Sequence, residues 1–261
     1  MILKGQAQII IRDANGKVKS RTEHDNHLSG NVFSGLLGEL AGTGSYSSAY
    51  TPTQISLTTN KNESVAAKRI LGNRSISTTD AGSTFVVSFS VNGFVPPTMD
   101  LDIIQFVYLL SDTTTVGFAS ANPNPQFEGD DTIDIVYKII LKPSDSSVST
   151  TLLERLSQIV QGQESGSTYV PQSQFVHVSH ATLFDGVTAV TGKQAIDYEI
   201  SNSANANIKF AGVDTSSADK ARFYISQGGT NFIEAYNQDI DLPTTFTSGD
   251  NVIVPFSITV S

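Results

Sequence analysis

Apolar and polar residues alternate with a period of two along several stretches of this chain, and this pattern predicts a mainly β fold. The longest alternation covers residues 133–141, where Ile, Ile, Tyr, Ile and Leu occupy every second position. A shorter one covers residues 85–89, and residues 103–110 form a nearly continuous apolar run that predicts a central strand buried on both faces. Turns rich in Gly, Pro, Asn and Asp separate these segments, which favours antiparallel β-sandwiches.

The first 25 residues are expected to form a β-hairpin. Two alternating segments flank Asn15 and Gly16, and both of these residues tolerate the positive φ that a tight hairpin turn requires. An isolated hairpin is marginally stable in water, so we expect this one to pack on the first domain or to dock on another subunit. The candidate assembly contacts are apolar residues of the hairpin and of a later loop, namely Ile9, Ile11, Val18, Phe94 and Met99.

Two short amphipathic helices are predicted, one in each half of the chain. Residues 29–40 carry an apolar stripe at helical spacing after Ser29, which is a suitable N-cap. Residues 151–160 carry a second stripe, and Thr151 with Glu154 has the spacing of a capping box.

A turn-rich loop after each helix contains the same Tyr-x-Pro motif. Tyr50-x-Pro52 and Tyr169-x-Pro171 lie 119 positions apart, and alternating strands follow both in the same order. We therefore expect two tandem, duplicated β-sandwich domains at residues 26–143 and 144–261, after the hairpin at residues 1–25. A Ser-rich stretch at the boundary is typical of a linker.

Composition narrows the possible partners and compartments. The net charge of −9 argues against direct nucleic-acid binding, because affinity for phosphates comes largely from Lys and Arg. There is no cysteine, so neither disulfides nor thiolate metal sites are possible. No apolar run approaches the ~18 residues of a membrane span, so we expect no membrane association and synthesis in the cytoplasm.

Two histidine pairs and a set of acidic residues are the candidates for metal binding. His24 with His27, and His177 with His180, are spaced so that strand geometry sends the two rings to opposite faces, so no metal site is predicted there. The acidic residues could gather at one end of the first sandwich and hold Ca²⁺, or they could simply be turn residues. They are Asp100, Asp102, Asp112, Glu128, Asp130, Asp131 and Asp134. No catalytic constellation is visible, so neither an enzyme nor a cofactor is predicted.

The first 143 residues resemble tailed-bacteriophage minor structural and tail-fibre proteins. The resemblance rests on the opening hairpin at residues 9–17, the Asn/His-rich step into the first helix, and the segments at residues 55–57, 104–109 and 131–135. It implies a non-enzymatic virion component that is made in the host cytoplasm and acts by oligomeric assembly through strand edges and the hairpin. The implied partners are further copies of the chain and other virion proteins.

A receptor- or glycan-binding adhesin is the alternative function. Its contact surface would be formed by loops near Tyr46, Phe94–Met99 and Phe184. The second of these loops is apolar and stiffened by proline, and its exposure would mark an interaction patch. A loop folded back over the core would explain the same residues.

Overall fold

The chain folds into a mainly β structure. The computed structural model describes residues 1–40, 51–59, 69–70, 72–94, 102–111, 114–144, 148–161, 177–200, 205–213, 218–226, 231–239, 250–257 and 259–260. Every strand pair among these residues is antiparallel except one.

The main sheet has eleven strands within the described ranges. In chain order they are β1 (Ile2–Arg12), β2 (Val18–Leu28), β3 (Gln54–Thr59), β4 (Arg69–Ile70), β5 (Asn73–Thr79), β6 (Thr84–Phe94), β7 (Asp102–Leu110), β8 (Thr115–Ser120), β9 (Gln126–Phe127), β10 (Thr132–Lys142) and, from the end of the chain, β19 (Thr259–Val260). Their spatial order is β4-β3-β7-β8-β2-β1-β10-β6-β5, with β9 beside β7 and β19 beside β1.

Two further sheets come from the second half of the chain. The small sheet contains β11 (Val178–Asp185), β12 (Thr188–Ala189), β13 (Gln194–Ala195), β16 (Lys220–Ser226) and β17 (Phe232–Asp239) in the order β12-β11-β16-β17, with β13 beside β11. The third sheet contains β14 (Asp197–Ile200), β15 (Asn205–Val213) and β18 (Asp250–Ser257). Pro255 lies on β18, an edge strand of this sheet in the described chain, as a proline within a strand predicts.

The N-terminal hairpin is the centre of the main sheet. Gly16 takes a φ of 79° in the turn, as predicted, but β1 then pairs with β10 along its whole length while β2 pairs with β8. Ile9 and Ile11 are fully buried in the core. The hairpin is therefore an integral part of the sheet, as the expected packing on the first domain requires, and it does not form a separate docking element at residues 1–25.

The strand at residues 102–110 is interior, as predicted, but it is not buried on both faces. Ile104, Val107 and Leu109 are buried on the core face, whereas Phe106 and Tyr108 are only partly buried on the outer face. A register shift opposite β3 leaves Gln105 as an extra residue between the partners of Thr58 and Thr59, so two successive partly buried positions, Gln105 and Phe106, separate the buried Ile104 from the buried Val107. The apolar run therefore covers one core face and part of the outer surface.

Both predicted helices are present, as α1 (Gly30–Leu40) and α2 (Thr150–Gln161). The α2 cap is Ser149, whose Oγ accepts the Leu152 N–H at 3.2 Å, so Thr151 is not the N-cap that the sequence suggested. The buried face of α2 includes Leu152, Leu156 and Ile159. It packs against β5, β6 and β10 of the main sheet and against β17 of the small sheet, so the hydrophobic core crosses the expected boundary at residue 143.

Strand pairing does not confirm the duplication. On the expected alignment β14 corresponds to β6, β15 to β7 and β18 to β10. In the structure β6 pairs with β10, whereas β14 pairs with β15 and β15 pairs with β18. Tyr50 and the whole of the second Tyr-x-Pro motif lie outside the described residues, so the two motifs cannot be compared in the structure.

Candidate functional site

An acidic cleft lies where the β1–β2 turn meets the loop between β9 and β10. Asp13 shapes the turn, because its Oδ1 accepts the backbone N–H groups of Asn15 and Lys17, each at 2.9 Å. Across the cleft, Glu128, Asp130 and Asp131 form the other wall, and the volume between the loops is about 550 Å³. The structure thus brings together part of the acidic set that the sequence singled out.

The Lys19 ammonium forms ion pairs with two carboxylates of this acidic cleft. Its Nζ lies 2.8 Å from Asp131 Oδ2 and 2.9 Å from Glu128 Oε1. The hydrogen bond to Asp131, followed by that to Glu128, raises the pKa of Lys19, so its ammonium stays charged. Asp131 is buried and also accepts the Glu128 backbone N–H at 2.9 Å. These contacts connect the start of β2 to the loop between β9 and β10, which gives Asp131 and Glu128 a structural role.

Asp134 is used in a neighbouring structural contact. Its Oδ2 accepts the Arg12 Nε–H at 2.7 Å and its Oδ1 accepts the Gly93 N–H at 2.8 Å. Asp102 begins β7, and Asp100 and Asp112 lie outside the described residues. Within the described part of the chain, no group of three or more His, Asp or Glu side chains is arranged to hold a metal ion.

The first histidine pair lies on opposite faces of β2, as strand geometry requires, whereas His177 lies just before β11. His24 is buried on the core face of β2, with Nε2 2.9 Å from Thr22 Oγ1, and burial lowers its pKa. His27 lies on the outer face, 5.2 Å from the Phe118 ring. Burial lowers the pKa of His177, with the charge of His180 as a second cause.

An aromatic row crosses the outer face of the main sheet. The rings of His27 and Phe118 are followed by Tyr108 and Phe106, with the last two centroid spacings both 6.2 Å. Phe118 is 38% exposed, although it lies in the middle of the row. The face is apolar and solvent-accessible, which is a feature of interaction surfaces.

The outer edge of the main sheet is formed by β5. Its seven residues pair with β6 without a register shift, and no described strand pairs with its other side. β5 contains no proline or lysine, and Arg74 is its one charged residue. Ser75 and Ser77 are exposed on it, so among the described residues β5 is a regular strand with small polar side chains at the surface.

The outer face of the small sheet combines aromatic rings with cations, and we call it the polar–aromatic face. It is defined by His180, Thr182, Phe184, Lys193, Arg222, Tyr224, Phe232, Glu234 and Asn237. Burial raises the pKa of the Tyr224 phenol, although nearby hydrogen-bonding groups act in the opposite direction.

The predicted contact residues are placed as follows. Ile9 and Ile11 are core residues and Val18 is 41% exposed beside the hairpin turn. Phe94 ends β6, and its side chain is outside what the structure describes, as are Met99 and Tyr46. Phe184 is 8% exposed, because the Arg222 guanidinium lies 4.2 Å above its ring.

Sequence reasoning missed the polar–aromatic face because its residues come from four segments spread over about sixty positions. Arg222 and Tyr224 alternate with Phe223 and Ile225, so period two could have assigned them to one strand face. Nothing in the sequence pairs that face with Lys193 or Phe232.

Comparisons with protein-family models, curated proteins and solved structures found no match to this chain. No helix in the described ranges has the length and apolar character needed to cross a membrane.

Proposed function

We propose that this protein is a non-enzymatic structural component of a tailed-phage virion that acts by self-association. The observation that carries the proposal is the regular edge of β5, with which no strand in the described ranges pairs. Native proteins usually protect such an edge with lysine, proline, a bulge or a covering segment, because exposed N–H and C=O groups recruit another strand. A functional interface is one reason to leave the edge open.

The partner is a second copy of β5, paired antiparallel about a twofold axis. Such an arrangement is self-complementary, so each copy contributes the same edge and the main sheets of two subunits become one. The polar side chains of Ser75 and Ser77 allow two sheets to join without steric or charge conflict. The resemblance of residues 1–143 to phage structural proteins supports placing this assembly in a virion.

Light scattering after size-exclusion chromatography tests the edge pairing. The full-length protein is expected to elute as a dimer or a multiple of dimers, and the double variant Ser75→Lys/Ser77→Lys as a monomer, because lysines on an edge strand repel across the twofold axis. The matched control is Ser88→Lys, which adds the same charge on β6 directly opposite Ser75. It should keep the wild-type oligomeric state.

A wild-type monomer at ~100 µM, a concentration at which weak interfaces still assemble, would contradict the proposal. So would an oligomer that survives the double lysine substitution. Loss of the oligomer on Phe118→Ser alone would move the interface to the aromatic row. For the virion, density-gradient particles from the source culture should contain the chain in a fixed ratio to the other structural proteins.

A further inference from the structure

Two basic side chains on the polar–aromatic face have no carboxylate partner in the described part of the chain. The Arg222 guanidinium lies 4.2 Å from the Phe184 ring centroid. The Lys193 ammonium lies 4.7 Å from the Tyr224 centroid and 5.4 Å from that of Phe232. Acidic residues outnumber basic ones by 25 to 16 in this protein, so two unpaired cations on one sheet face call for an explanation.

One polar atom of this face lacks a hydrogen bond. Thr182, Arg222 and Asn237 face one another across β11, β16 and β17. The Thr182 and Arg222 side chains act as hydrogen-bonding groups on the Tyr224 phenol, whereas Asn237 Oδ1 has no partner among the described residues. Buried polar atoms in native proteins are nearly always paired, so Asn237 has acceptor capacity left over.

The rings around this row form a corner. Phe232 stands at 63° to His180 with 4.9 Å between centroids, and at 70° to Tyr224 with 6.3 Å between centroids. His180 and Phe232 are partly exposed, whereas Tyr224 is covered by Lys193. Glu234 is the acidic member of the face; it accepts the Asn237 Nδ2–H and forms no ion pair with Arg222 or Lys193 within the described ranges, so the two cations leave the face with a net positive charge.

We propose that the polar–aromatic face binds an acidic saccharide. A sugar ring presents C–H groups that pack on an aromatic face, and here the partly exposed Phe232 ring supplies that face. Its hydroxyls hydrogen-bond the partly exposed Asn237 amide, and a carboxylate on the sugar pairs with Arg222 and Lys193.

The chemistry selects this ligand class over others. A neutral saccharide would leave both cations unpaired, and a simple anion would leave the rings uncovered. The net charge of −9 disfavours a polyanion such as nucleic acid, whose binding needs many phosphate contacts. This site is separate from the β5 edge, so the inference does not depend on the proposed assembly.

The test is binding of the full-length protein to matched oligosaccharide pairs. Each pair has the same chain length, with and without a carboxylate, such as glucuronate-containing against glucose-containing oligomers and sialylated against desialylated ones. The wild-type protein should bind at least one acidic member and discriminate against its neutral partner. Titration calorimetry with that acidic oligosaccharide then compares single variants.

Arg222→Gln, Lys193→Gln and Phe232→Ala are each expected to weaken binding by about tenfold or more, since each removes a charge-assisted hydrogen bond or a ring contact. The matched control is Lys220→Gln, two positions from Arg222 on the same strand. Lys220 already pairs with Asp239 at 3.6 Å, so its loss should change affinity by less than about twofold. Lys193 is exposed, so its variant tests the site even if Arg222→Gln fails to fold.

Three results would overturn the proposal: no binding to any acidic member of the pairs, equal losses from Lys220→Gln and Lys193→Gln, or equal affinity for inorganic phosphate and the acidic oligosaccharide. The first removes the ligand class, the second shows a general charge effect, and the third shows a simple anion site.

Discussion

Replacing Tyr137 by Phe is expected to stabilise the protein. Tyr137 lies in β10 with its side chain fully buried, and its hydroxyl has no hydrogen-bond partner within the described ranges. A buried hydroxyl that loses its bonds to water without replacement destabilises the folded state by about 1–3 kcal/mol. The substitution removes this penalty and keeps the ring, so the free energy of unfolding should rise by about 1 kcal/mol or more.

The effect should also depend on pH. Burial raises the pKa of the Tyr137 phenol well above its usual value. In the unfolded chain the phenol titrates near pH 10, so above that pH the unfolded state loses a proton that the folded state keeps. Below about pH 10 the phenol is protonated in both states and does not change the free energy of unfolding with pH. Above that pH, the free energy of unfolding falls by up to about 1.4 kcal/mol per pH unit as the pH rises towards the folded-state pKa. Tyr137→Phe should remove that part of the alkaline slope.

A second substitution tests the position of the hydroxyl. A Cβ added at Gly117 would overlap Tyr137 Oη, and it would lie 3.1 Å from His27 O and 3.2 Å from Leu28 Cδ2. Gly117→Ala should therefore destabilise by about 1–3 kcal/mol, as overpacking does. In the Tyr137→Phe background the loss should be smaller by about 1 kcal/mol, because the worst overlap is gone while the contact with His27 O remains.

Urea unfolding followed by far-ultraviolet circular dichroism at pH 7 gives the four free energies of this cycle. The same series at pH 9 to 11 gives the alkaline slope, and the difference between wild type and Tyr137→Phe isolates this residue from the other tyrosines. A loss of more than about 1 kcal/mol in Tyr137→Phe would refute the reasoning, since it would mean that the hydroxyl makes a favourable bond. Strict additivity with Gly117→Ala would refute the placement of the hydroxyl.

Two further predictions concern the loops. Ala81, in the β5–β6 turn, has a φ of 55°, which strains any residue but glycine. Ala81→Gly should therefore raise the free energy of unfolding by about 0.5–1 kcal/mol, seen as a higher midpoint of thermal unfolding. An unchanged midpoint would show that the turn relaxes at no cost. Asp131→Ala should lower the free energy of unfolding in urea by about 1–3 kcal/mol, because the Glu128 N–H loses its acceptor. Lys19→Gln keeps that acceptor and should lower it by less. The reverse order would contradict the structural role of Asp131.

Periodicity was enough to place the strongest elements. β10 alternates between buried and partly buried along its whole length, as residues 133–141 predict, and the mainly β fold follows from such segments. Val32, Leu36 and Leu40 are likewise buried on α1. These elements were predictable because each forms by burying one apolar face, and the spacing of apolar residues along the local sequence shows which face that is.

Partner choice between elements was not predictable in the same way. Nothing in residues 2–12 distinguishes pairing with β10 from pairing with a second subunit, since alternation fixes the buried face and not the neighbour. The same limit explains why similar strand patterns in the two halves suggested a duplication that the pairing does not confirm. At the acidic cleft, the carboxylates of residues 128–134 were identified, but Lys19 and Arg12, which neutralise them, come from the distant hairpin.

The placement of β19 has a consequence for the order of folding. Thr259 and Val260 lie beside Ile2 and Leu3, where β2 no longer pairs with β1, so the last strand completes a sheet that the first strand begins. β1 must also wait for β10 before its other side is filled. On the ribosome, β1 can pair with β2 early, but its other side therefore stays without β10 until more than half of the chain has emerged. Such long-range pairing slows folding and leaves apolar strands open to other chains, so expression should benefit from low temperature and slow synthesis.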